Sequence, residues 1–186
     1  MDYKSVDTAC LLGYLIQNNC IHANAAIAMS KLGTWTNRKD LGLGDYSDAT
    51  IGLDGVFPTA LFHDAGTKSI YKSLPLPKDY DSGDLKAVIV WKTAAIVNDA
   101  KFQLSGRSSP ADGSAGTASE FTGNVVTTAH GVANRYIKSE ITILEANVAA
   151  GDQVGLRLYR DPADAADDLA TDLYVLNTYL EYTARG

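Results

Sequence analysis

From residue 57 onward the chain repeats one texture. Short apolar or alternating runs at 57–62, 68–74, 85–93, 100–105, 125–128, 136–144, 154–160 and 173–183 are separated by clusters of Gly, Pro, Asp, Asn and Ser. Runs of this length and period form strands with one covered and one less covered face. The clearest run alternates Leu85, Ala87, Ile89 and Trp91 with Lys86, Val88, Val90 and Lys92. In 136–144, Ile137, Ile141 and Ile143 share a face with Ser139; in the last run Leu176, Leu180 and Tyr182 share one with Thr178. The expected fold is mainly β, about eight antiparallel strands in two packed sheets. The uneven connections favour a jelly-roll β-sandwich over an up-and-down barrel, with an immunoglobulin-type sandwich as runner-up. The Gly/Ser/Ala loop at 105–119 and the Asp/Ala loop at 161–171 would lie at the sandwich ends, where loops carry function.

The first 56 residues differ. Between Val6 and Leu32 the chain is rich in Ala, Leu, Ile and Met, with Asp7-Thr8 as a candidate start and Gly33 as a stop, so a helical segment is expected. The interruption Gln17-Asn18-Asn19 leaves a kink or a break open. Its apolar residues occupy much of the circumference, so it should pack on the body of the chain or on a neighbouring copy. Residues 34–56, TWTNRKDLGLGDYSDATIGLDGV, read as an irregular connector, and Gly42-Leu43-Gly44 as a turn rather than a phosphate loop. The expected organisation is an N-terminal helical segment and connector over 1–56, then the jelly roll over 57–186.

Composition narrows the function. A chain of 186 residues, 46% hydrophobic and 20% charged, can bury one good core. A net charge of −6 and no clustered basic face argue against nucleic acid as a partner. The apolar N-terminal stretch is broken by Gln17, Asn18, Asn19, His22 and Asn24, so neither a membrane span nor a secretory signal is expected and folding is placed in a cytoplasm. Cys10 and Cys20 are too few for a disulfide framework and read as buried thiols.

No motif for chemistry emerges. Asp79, Asp81 and Asp84 in LPLPKDYDSGDLKAVIVWKT loosely resemble a calcium loop, but the glycine is displaced and no closing glutamate follows, so a turn is preferred. His22, His63 and His130 form no zinc spacing, and His63-Asp64 has no matching nucleophile elbow. Asp161, Asp164, Asp167, Asp168 and Asp172 read as a solvated acidic loop ahead of an ion site. Tyr136, Tyr159, Tyr174, Tyr179 and Tyr182 raise sugar stacking as an alternative to sheet packing. No catalytic, cofactor-binding or metal residue is assigned, and a non-enzymatic protein is expected.

Two stretches carry a resemblance: LPLPKDYDSGDLKAVIVWKTA, and AGDQVGLRLYRDPADAADDLATDLYVLNTYLEYT. A proline-led strand start, an Asp/Gly turn, a strand ending in Trp91, an A-G-D turn before Tyr159-Arg160, an acidic loop and a closing L-E-Y strand resemble a jelly-roll type among virion proteins of tailed bacteriophages. The resemblance covers residues 57–184 loosely and transfers no catalytic residue. It implies a virion structural protein assembled in the host cytoplasm as a homotrimer, most simply a capsid decoration or cement protein bound to the major capsid protein. A head-fibre or tail appendage with a receptor-binding role is the virion alternative. A glycan-binding β-sandwich module is the alternative of another class.

Overall fold

The computed structural model describes residues 34–44, 46–110 and 119–185. The expected helical segment, with Cys10, Cys20 and His22, lies outside them. The described chain forms strands β1 (Thr34–Asp40), β2 (Tyr46–Ser47), β3 (Thr50–Asp54), β4 (Phe57–Phe62), β5 (Lys68–Pro75), β6 (Leu85–Thr93), β7 (Asp99–Ser109), β8 (Ser119–Thr128), β9 (Ile137–Ile143), β10 (Gln153–Arg160) and β11 (Leu173–Arg185). A 3-10 turn at Glu145–Asn147 precedes β10.

Two antiparallel sheets result. One runs β3-β4-β11-β6-β9, with β1 also paired to β11; the other runs β2-β5-β10-β7-β8. Because β4 pairs with Leu173–Val175 of β11 and β1 with its far end, these two strands share one edge of the long β11. Taken alone, β4 to β11 place β4-β11-β6-β9 over β5-β10-β7-β8. That order is a jelly roll, and its eight strands are the eight runs legible in the sequence.

Three expectations about strands and connections need correction, and a fourth, on the acidic loop, follows with the core. Residues 34–56 are not an irregular connector: β1 lies along β11 from Thr34↔Arg185 to Asp40↔Tyr179, β2 pairs with β5, and β3 forms a hairpin with β4. Their pattern is obscured because β1, β2 and β3 line sheet edges, where burial does not enforce alternation. The loop expected at 105–119 is shorter, because β7 and β8 stay paired out to Ser108↔Ser119. Finally, Leu176 does not share the face of Leu180 and Tyr182. The register slips between Val175 and Asn177, so Leu176 is the extra residue of a bulge while Leu173, Val175, Leu180 and Tyr182 are buried.

The core lies between the sheets. Trp91 is fully buried, its ring meeting Phe102 edge-on at 5.4 Å between centroids. Its indole Nε1 donates to Ser139 Oγ at 2.9 Å, and Ser139 donates onward to Thr127 Oγ1 at 2.7 Å. This explains a serine on an isoleucine face: the buried indole N–H requires an acceptor there.

At the end of β10 the last inward residue is Arg160, fully buried. Its Nε and Nη2 each donate to Asp167 at 2.8 Å, Nη1 donates to the Thr171 carbonyl at 3.0 Å, and Nη2 also reaches the Leu169 carbonyl. Asp167 accepts a further bond from the Lys101 amide at 3.0 Å. The acidic loop is therefore no solvated excursion. Its central carboxylate is buried on a guanidinium, and Asp164 pairs with Lys101 Nζ at 2.6 Å while Asp168 accepts the Asp99 amide at 2.6 Å. Sequence reading missed this because Arg160, the partner of Asp167, precedes the loop on a strand.

Breaking a buried pair from one side strands a charge, a cost of roughly 3–5 kcal/mol, whereas removing both partners is milder. Arg160→Met and Asp167→Leu should each destabilise by about that amount, and the double variant by less than their sum. Denaturant unfolding of the four proteins checks it; small additive losses would contradict the buried-pair reading.

Candidate functional site

The alternation that buries one face of the five-stranded sheet displays the other. In β10, Val154, Leu156, Leu158 and Arg160 point into the core, so Gly155, Arg157 and Tyr159 face outward. In β7, Phe102 and Leu104 are inward and Gln103, Ser105 and Arg107 outward; in β8, Phe121 is inward and Glu120, Thr122 and Asn124 outward. The register aligns these residues in rows across the sheet. One row is Tyr71–Arg157–Ser105–Thr122, the next Ser73–Gly155–Arg107–Glu120, and a third Ser69–Tyr159–Gln103–Asn124.

An open groove of about 570 Å³ crosses this face, lined by the first two rows. Its floor at Gly155 is distinctive. A Cβ built there meets nothing within 4 Å, although Gly155 lies in a central strand between β5 and β7. Gly106, one strand over, is different: a Cβ there would meet the Phe121 ring at 2.4 Å, so that glycine serves core packing. Packing therefore does not explain Gly155. Glycine in a strand interior weakens the strand and otherwise marks a place where a ligand approaches closely.

Beside this floor Arg157 is half-buried and held in place. Its guanidinium carbon lies 4.5 Å from the Tyr159 ring centroid and 5.7 Å from that of Tyr71, and its Nε donates to Ser69 Oγ at 3.1 Å. The Tyr159 hydroxyl donates to Gln103 Oε1 at 3.2 Å. Stacked rings and one fixed donor set the plane of the guanidinium. The face thus offers aromatic surface, planar amide and guanidinium groups, and hydroxyls around a bare floor. These are the groups that pack against sugar rings and hydrogen-bond their hydroxyls.

The other residues singled out in the sequence are spread over the molecule. Asp79 accepts bonds from Asn37 Nδ2 at 3.4 Å and the Tyr182 hydroxyl at 3.3 Å, Asp81 from Arg185, and Asp84 from the Glu145 amide at 2.9 Å. Their carboxylates diverge toward three different segments, and Gly83 takes the positive φ of 83° that the turn requires. Tyr80 is buried within this corner and donates to the Gly83 carbonyl at 2.6 Å; burial first, then Glu145 and Asp84, push its hydroxyl pKa up to about 12. Tyr182 is likewise shifted up by burial and by Asp79. The corner is structural.

His63 Nδ1 sits 3.3 Å from Asp172, whose other oxygen accepts the Asp64 amide at 2.9 Å, and His130 Nδ1 accepts the Val132 amide at 3.2 Å. Among the described residues no group of three or more His, Cys, Asp or Glu side chains is placed to hold a metal ion. Of the five tyrosines considered for sugar stacking, Tyr159 joins the grooved face. Tyr179 and Tyr182 are buried in the other sheet, Tyr174 is on β11, and Tyr136 falls just outside β9. The sequence signal that was passed over is Gly155 itself, a glycine inside the alternating run VGLRLYR.

No protein-family model matches the chain, and comparison with curated protein sequences gives no match. Solved structures offer distant likenesses. A family 35 carbohydrate-binding module from Clostridium thermocellum is 12% identical, covering 77% of this chain and 97% of its own, with a TM-score of 0.46. A structure of infectious bursal disease virus (Gx strain) is 14% identical over 82% of this chain and 32% of its own, at 0.43. The uncharacterized protein lmo2446 of Listeria monocytogenes is 9% identical over 78% of this chain and 12% of its own, at 0.47. The jelly roll is given by the strand order itself. Among the described residues no helix is long and apolar enough to cross a membrane.

Proposed function

We propose that this chain is a non-enzymatic glycan-binding β-sandwich module that takes a saccharide across the outer face of β5, β10, β7 and β8. One observation carries the reading: Gly155 leaves an open floor in a central strand where packing does not demand glycine, beside two stacked tyrosines and a row of polar side chains. The sandwich supplies rigidity, since in β10 the outward Gly155, Arg157 and Tyr159 alternate with Val154, Leu156, Leu158 and Arg160, all buried. A preformed groove of this kind binds without a large ordering cost.

The substitution that tests it fills the floor. Gly155→Phe places a ring into open space and should leave the melting temperature nearly unchanged while abolishing binding on a glycan array. Retained binding would move the site off this face.

A second reading, capsid decoration within a homotrimer, is favoured by a different surface. The β3-β4 hairpin exposes Ile51, Leu53, Val56 and Phe57, with Leu53 at 74% and Val56 at 84% of full exposure. A cluster of this sort suits burial against another protein surface. The two readings join in a virion appendage that binds a host glycan. Counting copies in purified particles separates them: many symmetry-related copies on the shell would support decoration, and a handful at a fibre or tail would support the receptor-binding form.

A further inference from the structure

The groove is basic on an acidic protein. In a chain of net charge −6, its lining includes Arg107 and Arg157. Among the described residues neither of these forms an ion pair, whereas Arg38 pairs with Glu181, Arg160 with Asp167 and Arg185 with Asp81. The contrast is sharpest at Arg157. Its Nε is taken by Ser69 and its faces by Tyr71 and Tyr159, yet its two Nη atoms donate to no described residue. A guanidinium whose plane is fixed and whose terminal edge is taken by no described residue is a preorganised fork for a carboxylate, which it can hold through two parallel charge-assisted bonds. Arg107 adds a second cation on the neighbouring strand, next to the bare floor at Gly155. Glu120 stands directly across from Arg107 and, among the described residues, is the one carboxylate lining the groove.

We propose that the groove selects an acidic saccharide, a uronic or sialic acid, whose carboxylate is received by the Nη edge of Arg157 while its ring lies over Gly155. The inference rests on the glycan-binding reading and names the ligand class within it. Arg157 is the specificity-determining group, Arg107 strengthens the field, and Glu120 opposes the ligand charge and limits affinity.

The test is calorimetric titration of the full chain with two matched pairs: tri-galacturonate against its carboxyl-reduced neutral form, and sialyllactose against lactose. In at least one pair the acidic member should bind roughly tenfold tighter or more, as expected for a charge-assisted fork, and the gap should shrink with added salt. Which pair shows it identifies the source of the carboxylate. Arg157→Gln should erase the preference, bringing the affinities of the two members of the pair together. Glu120→Gln, which keeps Arg157 and its stacking intact, should widen the gap between the acidic and the neutral member, and this arm stands even if the arginine variant folds poorly. Equal affinity within both pairs, or tighter neutral binding, would overturn the acidic assignment and leave the glycan reading standing. Absence of binding to all four ligands and to a broad glycan array would overturn both.

Discussion

The buried pair between Arg160 and Asp167 is the constraint on which the rest of the molecule depends. Arg160 terminates β10, the strand that sits between β5 and β7 in the five-stranded sheet. Its guanidinium gathers the whole 161–172 excursion beneath it through Asp167 and the carbonyls of Leu169 and Thr171. The amides of Asp168 and Leu169 then bond the Asp99 carbonyl at the start of β7. That fixes where β11 begins, and β11 pairs with β4, β6 and β1 to organise the opposite sheet. Taking two charges out of water is costly, and the arrangement is tolerable only because the guanidinium and the carboxylate both find further partners. One side chain thus joins the two sheets at their shared end.

The same strand serves the outer face. With Arg160 fixed inward, period two sends Tyr159, Arg157 and Gly155 outward, so core and groove are set by a single register. A slip of one residue would bury Arg157 and expose Leu156 and Leu158. The groove is therefore as rigid as the core beneath it, and its polar groups need little rearrangement to meet a ligand. The structural aspartates are separate from it. Asp79, Asp81 and Asp84 spend their oxygens on the corner between β5 and β6, and the loop aspartates spend theirs on the β10-β11 latch.

Most of the fold was legible in the sequence because burial of one face writes a period of two into each strand. The run through Trp91 shows it best, and an apparent exception in the neighbouring strand β9, Ser139 among isoleucines, is the acceptor for the indole. What was not legible has physical reasons. Strands β1 to β3 lie at edges and carry Gly, Asp and Thr with little alternation, so they read as a connector. The bulge at Leu176 shifts a face by one residue without any change in residue type. The Asp167 carboxylate looked like one of several diluted charges, because its partner lies seven positions away on a strand. At the site, Tyr159 was visible as an aromatic but Arg157 was not, since a guanidinium stacked on tyrosines is defined by cross-strand neighbours that one strand does not reveal. Gly155 was visible as a glycine inside an alternating run, but the open space above it is a property of the assembled sheet.

The central claim is that the outer face of β5, β10, β7 and β8 is the binding surface. Amide chemical-shift mapping during a titration with tri-galacturonate tests it most directly. The account predicts that shifts concentrate on the outward rows of that sheet, led by Gly155, Arg157, Arg107 and Ser105, with the six-stranded sheet unchanged. Shifts gathered instead on the β3-β4 hairpin or on the sandwich-end loops would contradict it.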